Sequence, residues 1–181
     1  MGQYYKSIFL KEDTNKVEKW FYSWDYDSGL KLMEHSWLKN PFVLAVESQL
    51  LHNPKRIVWA GDYADEEKRS KTNLYGRCKD STKSHRINYL TDATAWNRDY
   101  PYIVNHTKKE YVNKFNVPAD KDGWRIHPLP LLTCEGNGRG GGDYRGESPL
   151  IGCWARDLIS VEPVLMELKD YKEITFDLVE A

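Results

Sequence analysis

Gln3-Tyr4-Tyr5-Lys6-Ser7-Ile8-Phe9-Leu10 and Val17-Glu18-Lys19-Trp20-Phe21-Tyr22-Ser23 flank Glu12-Asp13-Thr14-Asn15. The two flanks are rich in aromatic and β-branched residues, and the centre is turn chemistry, so the stretch predicts an N-terminal β-hairpin. Asp25 to Gly29 reads as a second turn, and Leu30 to Leu38 as a short helix. Asn40-Pro41 marks a helix start, with Asn as N-cap and Pro at the first helical position. That helix is expected to run from Pro41 to about His52, because Phe42, Val43, Val46, Leu50 and Leu51 recur at helical spacing before Asn53-Pro54.

Further along, Arg56 to Ala60 reads as a buried strand, Gly61 to Ser70 as a polar loop and Thr72 to Cys78 as a short helix. Lys79 to Asp99 is polar and poorly patterned, which predicts an irregular insertion. Tyr102 to His106 and Glu110 to Asn113 form a second expected hairpin, followed by a turn over Pro118 to Gly123. Trp124 to Cys134 is read as a strand kept to a sheet edge by Pro128 and Pro130. A Gly-rich loop over Glu135 to Pro149 and strands over Leu150 to Val161 and Tyr171 to Val179 complete the chain. The expectation is a single α+β domain over residues 1–181, a mostly antiparallel sheet with one principal helix packed on it.

Composition narrows the function classes. Among 181 residues there are 7 Trp, 12 Tyr and 5 Phe, enough to build a core or to furnish a recognition surface. The net charge of -1 argues against a dedicated nucleic-acid binder. Charge is nevertheless uneven. Lys68 to Arg86 holds seven Lys or Arg against Asp80, and Glu162 to Ala181 holds six acids against two lysines. That asymmetry could steer a charged partner, or could simply be a solvated loop and a solvated tail. Three scattered cysteines, Cys78, Cys134 and Cys153, suggest neither a disulfide framework nor a zinc ribbon, and fit free thiols in a reducing cytosol. The first residues lack a basic region followed by an apolar run, and no apolar stretch approaches membrane-spanning length. A cytoplasmic location, away from the membrane, is expected.

Three features could carry chemistry. The run Glu135-Gly136-Asn137-Gly138-Arg139-Gly140-Gly141-Gly142-Asp143-Tyr144 places five glycines in ten residues. Such backbone is costly to order, and can form an anion-binding nest to which Arg139 would add a clamp; it can equally be a flexible connection. Its match to G-x-G-x-x-G is weak, because the fingerprint needs a following helix and none is expected. Trp59-Ala60-Gly61-Asp62-Tyr63-Ala64-Asp65 leaves a buried strand and presents two carboxylates with an aromatic. Asp62 and Asp65 could bind a metal or, with Tyr63, contact a base or a partner's arginine, or the segment is a strand-end turn in which Asp bonds its own backbone. Of five histidines, His127 and His106 are the acid–base candidates, with a satisfied structural histidine as the plainer alternative. No standard nucleophile or metal motif occurs, no cofactor is implied and nothing argues for an enzyme.

Several phrases form a set: Met1 to Lys6, Lys31 to Trp37, Val58 to Asp65, Val104 to Tyr111 and His127 to Gly138. As a set they resemble a family of small, largely uncharacterised proteins carried by phages and mobile elements. In size and setting the chain is similar to one group of type II anti-CRISPR proteins, the inhibitors of Cas9. The resemblance implies a binding protein that antagonises the Cas9–guide RNA complex by occupying its surface. The Gly-rich loop, the Trp59 to Asp65 turn and the acidic C-terminal strand would be its contacts. Acidic side chains in such a role mimic phosphates and pair with channel arginines. The alternative is a protein that sequesters or degrades a defence signalling nucleotide. There the glycines would hold phosphates, Trp59 or Tyr144 would stack on a base, and His127 or His106 would act on it.

Overall fold

A computed structural model describes residues 2–78, 85, 87, 92–137, 141–163 and 168–179. The fold is α+β, and the described residues form eight strands in one mostly antiparallel sheet and five α-helices. The expected N-terminal hairpin is present as β1 (Tyr5–Leu10) and β2 (Val17–Tyr22), paired from Lys6↔Tyr22 to Leu10↔Val17. β3 (Lys55–Gly61) pairs antiparallel with the other edge of β1. The second hairpin is β4 (Tyr102–Asn105) with β5 (Glu110–Asn113). Two short strands, β6 (Cys134–Glu135) and β8 (Lys172–Glu173), add parallel pairs to β3 and β5, and β7 (Leu158–Glu162) bridges β3 to β4.

The helices are α1 (Leu32–His35), α2 (Pro41–Ser48), α3 (Leu74–Arg77), α4 (Ala93–Asp99) and α5 (Pro128–Thr133). The expectation of one principal helix is not confirmed. α2 starts where Asn40-Pro41 places it, since Asn40 Oδ1 accepts from the Phe42 and Val43 amides at 2.9 and 3.2 Å. It stops before His52.

Several expectations along the chain need correction. Trp124 to Cys134 is not a strand, because Pro128 to Thr133 is helical. Pro128 and Pro130 both fall in the first turn, where an amide has no intrahelical partner to lose, and His127 caps it by accepting from the Leu129 amide. The second is Lys79 to Asp99, whose end is the helix α4, capped by Asp92 Oδ1 on the Thr94 and Ala95 amides. Third, Leu150 to Asp157 is not a strand and turns instead, so that Gly152 and Trp154 amides reach the Leu131 and Leu132 carbonyls that end α5. Gly152 has φ +69, and a Cβ there would stand 2.5 Å from the Cys134 carbonyl oxygen. Of Tyr171 to Val179, only Lys172–Glu173 pairs as a strand, while Phe176 and Leu178 are buried.

The centre of the sheet is covered on both faces. Tyr5, Phe9, Ile57 and Trp59 point into the main core against α2 and α5. Ile8, Leu10, Val58 and Ala60 point to a second, smaller core closed by Trp20, Leu74 and Cys78. This explains the unbroken apolar run of β3, which a strand with one wet face would not show.

Candidate functional site

β3 has a divided edge. Near its start it pairs with β7 through Lys55↔Ile159 and Arg56↔Leu158; near its end it pairs with β6 through Trp59↔Cys134 and Ala60↔Glu135. Between the two, the Arg156 amide donates to the Ile57 carbonyl at 2.8 Å. A cleft of about 750 Å³ opens at this fork. Its floor is Arg156, a non-glycine residue held at φ +68. The Arg156 guanidinium is clamped from two sides. Nε and Nη2 donate to Glu135 at 2.5 and 2.8 Å, and Nη1 and Nη2 donate to Glu67. Partial burial works against the cation, but the two carboxylates outweigh it and raise its pKa.

The rim adds Lys16, Lys68, Arg77, Asp65 and Glu66, and Lys108 reaches Asp157 at 3.5 Å. The cleft is therefore strongly charged with both signs present, and suits charged groups of a partner or ligand. Its thiols are not poised as nucleophiles, since burial pushes Cys134 up to about 12 and also raises Cys153. Among the described residues, no three His, Cys, Asp or Glu side chains gather as a metal site.

Because β3 and β6 run parallel, the loops that follow them leave the sheet side by side. Gly61-Asp62-Tyr63-Ala64-Asp65 and Gly136-Asn137 thus share one end of the molecule. Gly136 and Asp65 line the cleft, Asn137 and Asp65 are exposed, and Tyr63 is 48% exposed. Asp62 instead holds the turn, its Oδ1 accepting from the Tyr4 amide at 3.0 Å. Asn73 Nδ2 braces the same turn on the Asp62 and Ala64 carbonyls. Trp59 is fully buried, and its indole N–H donates to His35 Nε2 at 2.9 Å.

Gly138, Arg139 and Gly140 lie outside the described residues. The following part of the run packs on the protein itself. A Cβ on Gly142, at φ +60, would stand 2.8 Å from the Tyr5 ring, and one on Gly141 would meet Tyr144, Ile151 and Leu32. Asp143 Oδ1 accepts from the Met33 amide of α1, and the Tyr144 amide closes a turn on Gly141. Burial raises the Asp143 and Tyr144 pKa values.

The two histidines sit elsewhere. His127 is wholly buried beside Glu47 and Lys114. Its Nδ1 accepts from the Leu129 amide, so Nε2 carries the proton; it lies 3.1 Å from Glu47 Oε1 at an angle poor for a hydrogen bond. Lys114 Nζ bonds Glu47 Oε1 at 2.9 Å and Asn97 Oδ1 at 2.8 Å, and the Trp96 indole donates to Glu47 Oε2 at 2.9 Å. Burial pushes the Glu47 carboxyl up, but Lys114 and His127 more than offset this and hold it at about 2. Burial draws His127 below its ordinary value. These groups tie α2, α4, α5 and the turn after β5 together.

His106 belongs to a chain of polar groups over β4 and β7. Tyr171 Oη is 2.9 Å from Nδ1, Nε2 is 2.7 Å from Ser160 Oγ, and Ser160 donates to Glu162 at 2.6 Å. Glu162 also meets His52 Nδ1 at 2.9 Å. Ser160 gives its proton to a carboxylate rather than to the histidine, and is fully buried, so the pair is not arranged for nucleophilic attack. Burial lowers the His106 pKa. In the acidic C-terminal segment, Glu173 accepts from Asn116 Nδ2 at 2.7 Å.

Sequence reading missed Arg156, Glu67, Lys108 and Asp157. Arg156 stands 21 residues from Glu135 and 89 from Glu67, so no local spacing announces the clamp. The φ-positive Arg156 follows an apolar stretch that reads as strand. Comparison with protein-family models, with curated proteins and with solved structures finds no match for this chain.

Proposed function

We propose that the chain is an anti-defence binding protein that acts by occupying a surface of the Cas9–guide RNA complex, and that the end of the sheet where β3 and β6 stop is its contact face. One observation carries the choice of face. Two loops read independently as candidate contacts leave neighbouring parallel strands and meet at a charged cleft. Support for a binding role comes from the histidines, since the acid–base candidate His127 is sealed in the core beside Lys114 and Glu47. The identity of the partner rests on the resemblance of the quoted phrases. Tyr63 suits the anchoring part of such a face, and Asp65 and Glu66 suit the arginines of a nucleic-acid channel. The test is size-exclusion chromatography of the purified protein with guide-loaded Cas9, with a DNA cleavage assay beside it. Co-elution and slowed cleavage are expected; separate elution with unimpaired cleavage refutes the proposal.

A second reading is favoured by the cleft itself. Its volume falls in the range of small-molecule sites, roughly 300–1,000 Å³, and Lys16, Lys68 and Arg77 stand on its rim. A defence signalling nucleotide would place its phosphates there. Thermal-shift titration with cyclic dinucleotides and ADP-ribose derivatives decides it, since that reading requires at least one to raise Tm.

A further inference from the structure

A second concavity of about 720 Å³ lies apart from the cleft and shares none of its lining residues. Two tryptophans form it. Trp37 is held by its indole N–H, which donates to the Met33 carbonyl at 2.7 Å. Trp124 is 58% exposed, and its ring stands 5.8 Å from that of Trp37 at 68°. An exposed tryptophan on a loose loop needs no explanation, but this one is fixed. The Asp120 amide donates to the Trp124 carbonyl, and Asp120 Oδ1 accepts from the Asp122 and Trp124 amides at 2.9 and 2.8 Å. Gly123, at φ +84, supplies the bend. The strand-like bridges Trp37↔Ile126 and Ala119↔Arg125 brace both sides. The core uses neither the outer face of Trp124 nor this turn.

The remaining wall is acidic. Glu34, Asp120 and Asp122 face one cation, Lys39. Glu34 is already paired with Lys31 at 3.2 Å and Asp120 Oδ1 already accepts from two amides, so Asp122 supplies most of the charge left for a ligand. Two indoles at a steep angle beside carboxylates make a box for a flat cation, which can lie on one ring while its N–H groups reach the acids.

We propose that the Trp37–Trp124 shelf binds an arginine side chain presented by a partner protein. This goes beyond the contact face of β3 and β6 and does not require Cas9 to be the partner. The probe is an acetylated, amidated Gly-Arg-Gly-Arg-Gly peptide, titrated into 15N-labelled protein with the tryptophan indole resonances as readout. Saturable shifts confined to the Trp37 and Trp124 indoles are expected. Trp124→Ala should weaken binding about tenfold, as loss of a cation–π contact would. Asp122→Asn and Asp120→Asn should weaken it less, the latter because Asn keeps the oxygen that holds the turn. The same peptide with citrulline in place of arginine should give no saturable shift. Because Trp124 is exposed, the other indole resonances report that the fold of its variant survives. Equal binding of the citrulline peptide, unchanged binding by Trp124→Ala, or shifts from a neutral oligosaccharide but not from the arginine peptide would each overturn the proposal.

Discussion

At the scale of single residues, the molecule spends its unusual chemistry inside. His35 shows this most simply. Its Nδ1 donates to the Gly29 carbonyl at 2.8 Å and its Nε2 accepts from Trp59, which leaves no place for a second proton. Burial lowers its pKa to about 4. The unfolded chain takes up that proton near pH 6.5, so stability is full above that value and falls as pH drops towards 4. The loss amounts to roughly 3 kcal/mol from this group. His106 and His127 are lowered too, and act in the same direction. Following each histidine by NMR between pH 7 and 4 tests it: His35 should not titrate above pH 5, and a midpoint near 6.5 would be wrong for the described geometry.

Glu47 offers a second test at this scale. Glu47→Gln removes the carboxylate and strands a buried Lys114, at an expected cost of about 3–5 kcal/mol in urea unfolding. Lys114→Met should also destabilise. The double variant should lose clearly less than the two single losses together, because each single change leaves an unpaired charge that the other removes. Simple additivity would mean that the ion pair is not coupled.

At the scale of elements, the same signal was legible at one helix and hidden at another. Asn40-Pro41 names its helix because Asn is a familiar cap. His127-Pro128 does the same work for α5, but histidine is an uncommon cap, and Pro130 suggested a broken edge strand. Asn40→Ala should cost about 1–2 kcal/mol and Asn40→Asp much less, as measured by urea midpoints. Both hairpins were legible from alternation and turn residues. The strand expected over Leu150 to Val161 was shortened by a demand invisible locally, the need of α5 for donors at its end. The Gly-rich run also changes meaning here. Gly142 is close to Tyr5, so the close approach seen in its described part is made by the chain's own core. Gly142→Ala combines a strained φ with a ring contact, and should destabilise by about 1–3 kcal/mol. An unchanged midpoint would show that the loop does not pack as described.

At the scale of the whole molecule, one mostly antiparallel sheet places β3 in its interior, between β1 and β7, and divides β3's far edge between β6 and β7. That division creates the cleft and brings the Trp59 to Asp65 and Glu135 to Asn137 segments together. Each segment stood out in the sequence, but their adjacency did not, because it depends on a two-residue parallel pairing between positions 75 residues apart, Trp59 and Cys134. Trp59 reads as a stacking residue in the sequence, yet it points into the main core, against Phe42 of α2 and His35, and is fully buried there. No helix among the described residues is long and apolar enough to cross a membrane.

The central claim is that this shared end of β3 and β6 is the surface that meets the partner. The most direct measurement compares the wild-type protein with a Tyr63→Ala/Asp65→Ala variant in a guide-loaded Cas9 DNA cleavage assay. Both side chains are exposed, so the variant should fold with an unchanged urea midpoint. The account predicts inhibition by the wild type, and at least about tenfold weaker inhibition by the variant, as loss of an anchoring side chain at an interface would give. Equal inhibition by the two would move the contact face elsewhere, and cleavage untouched by the wild type would contradict the account as a whole.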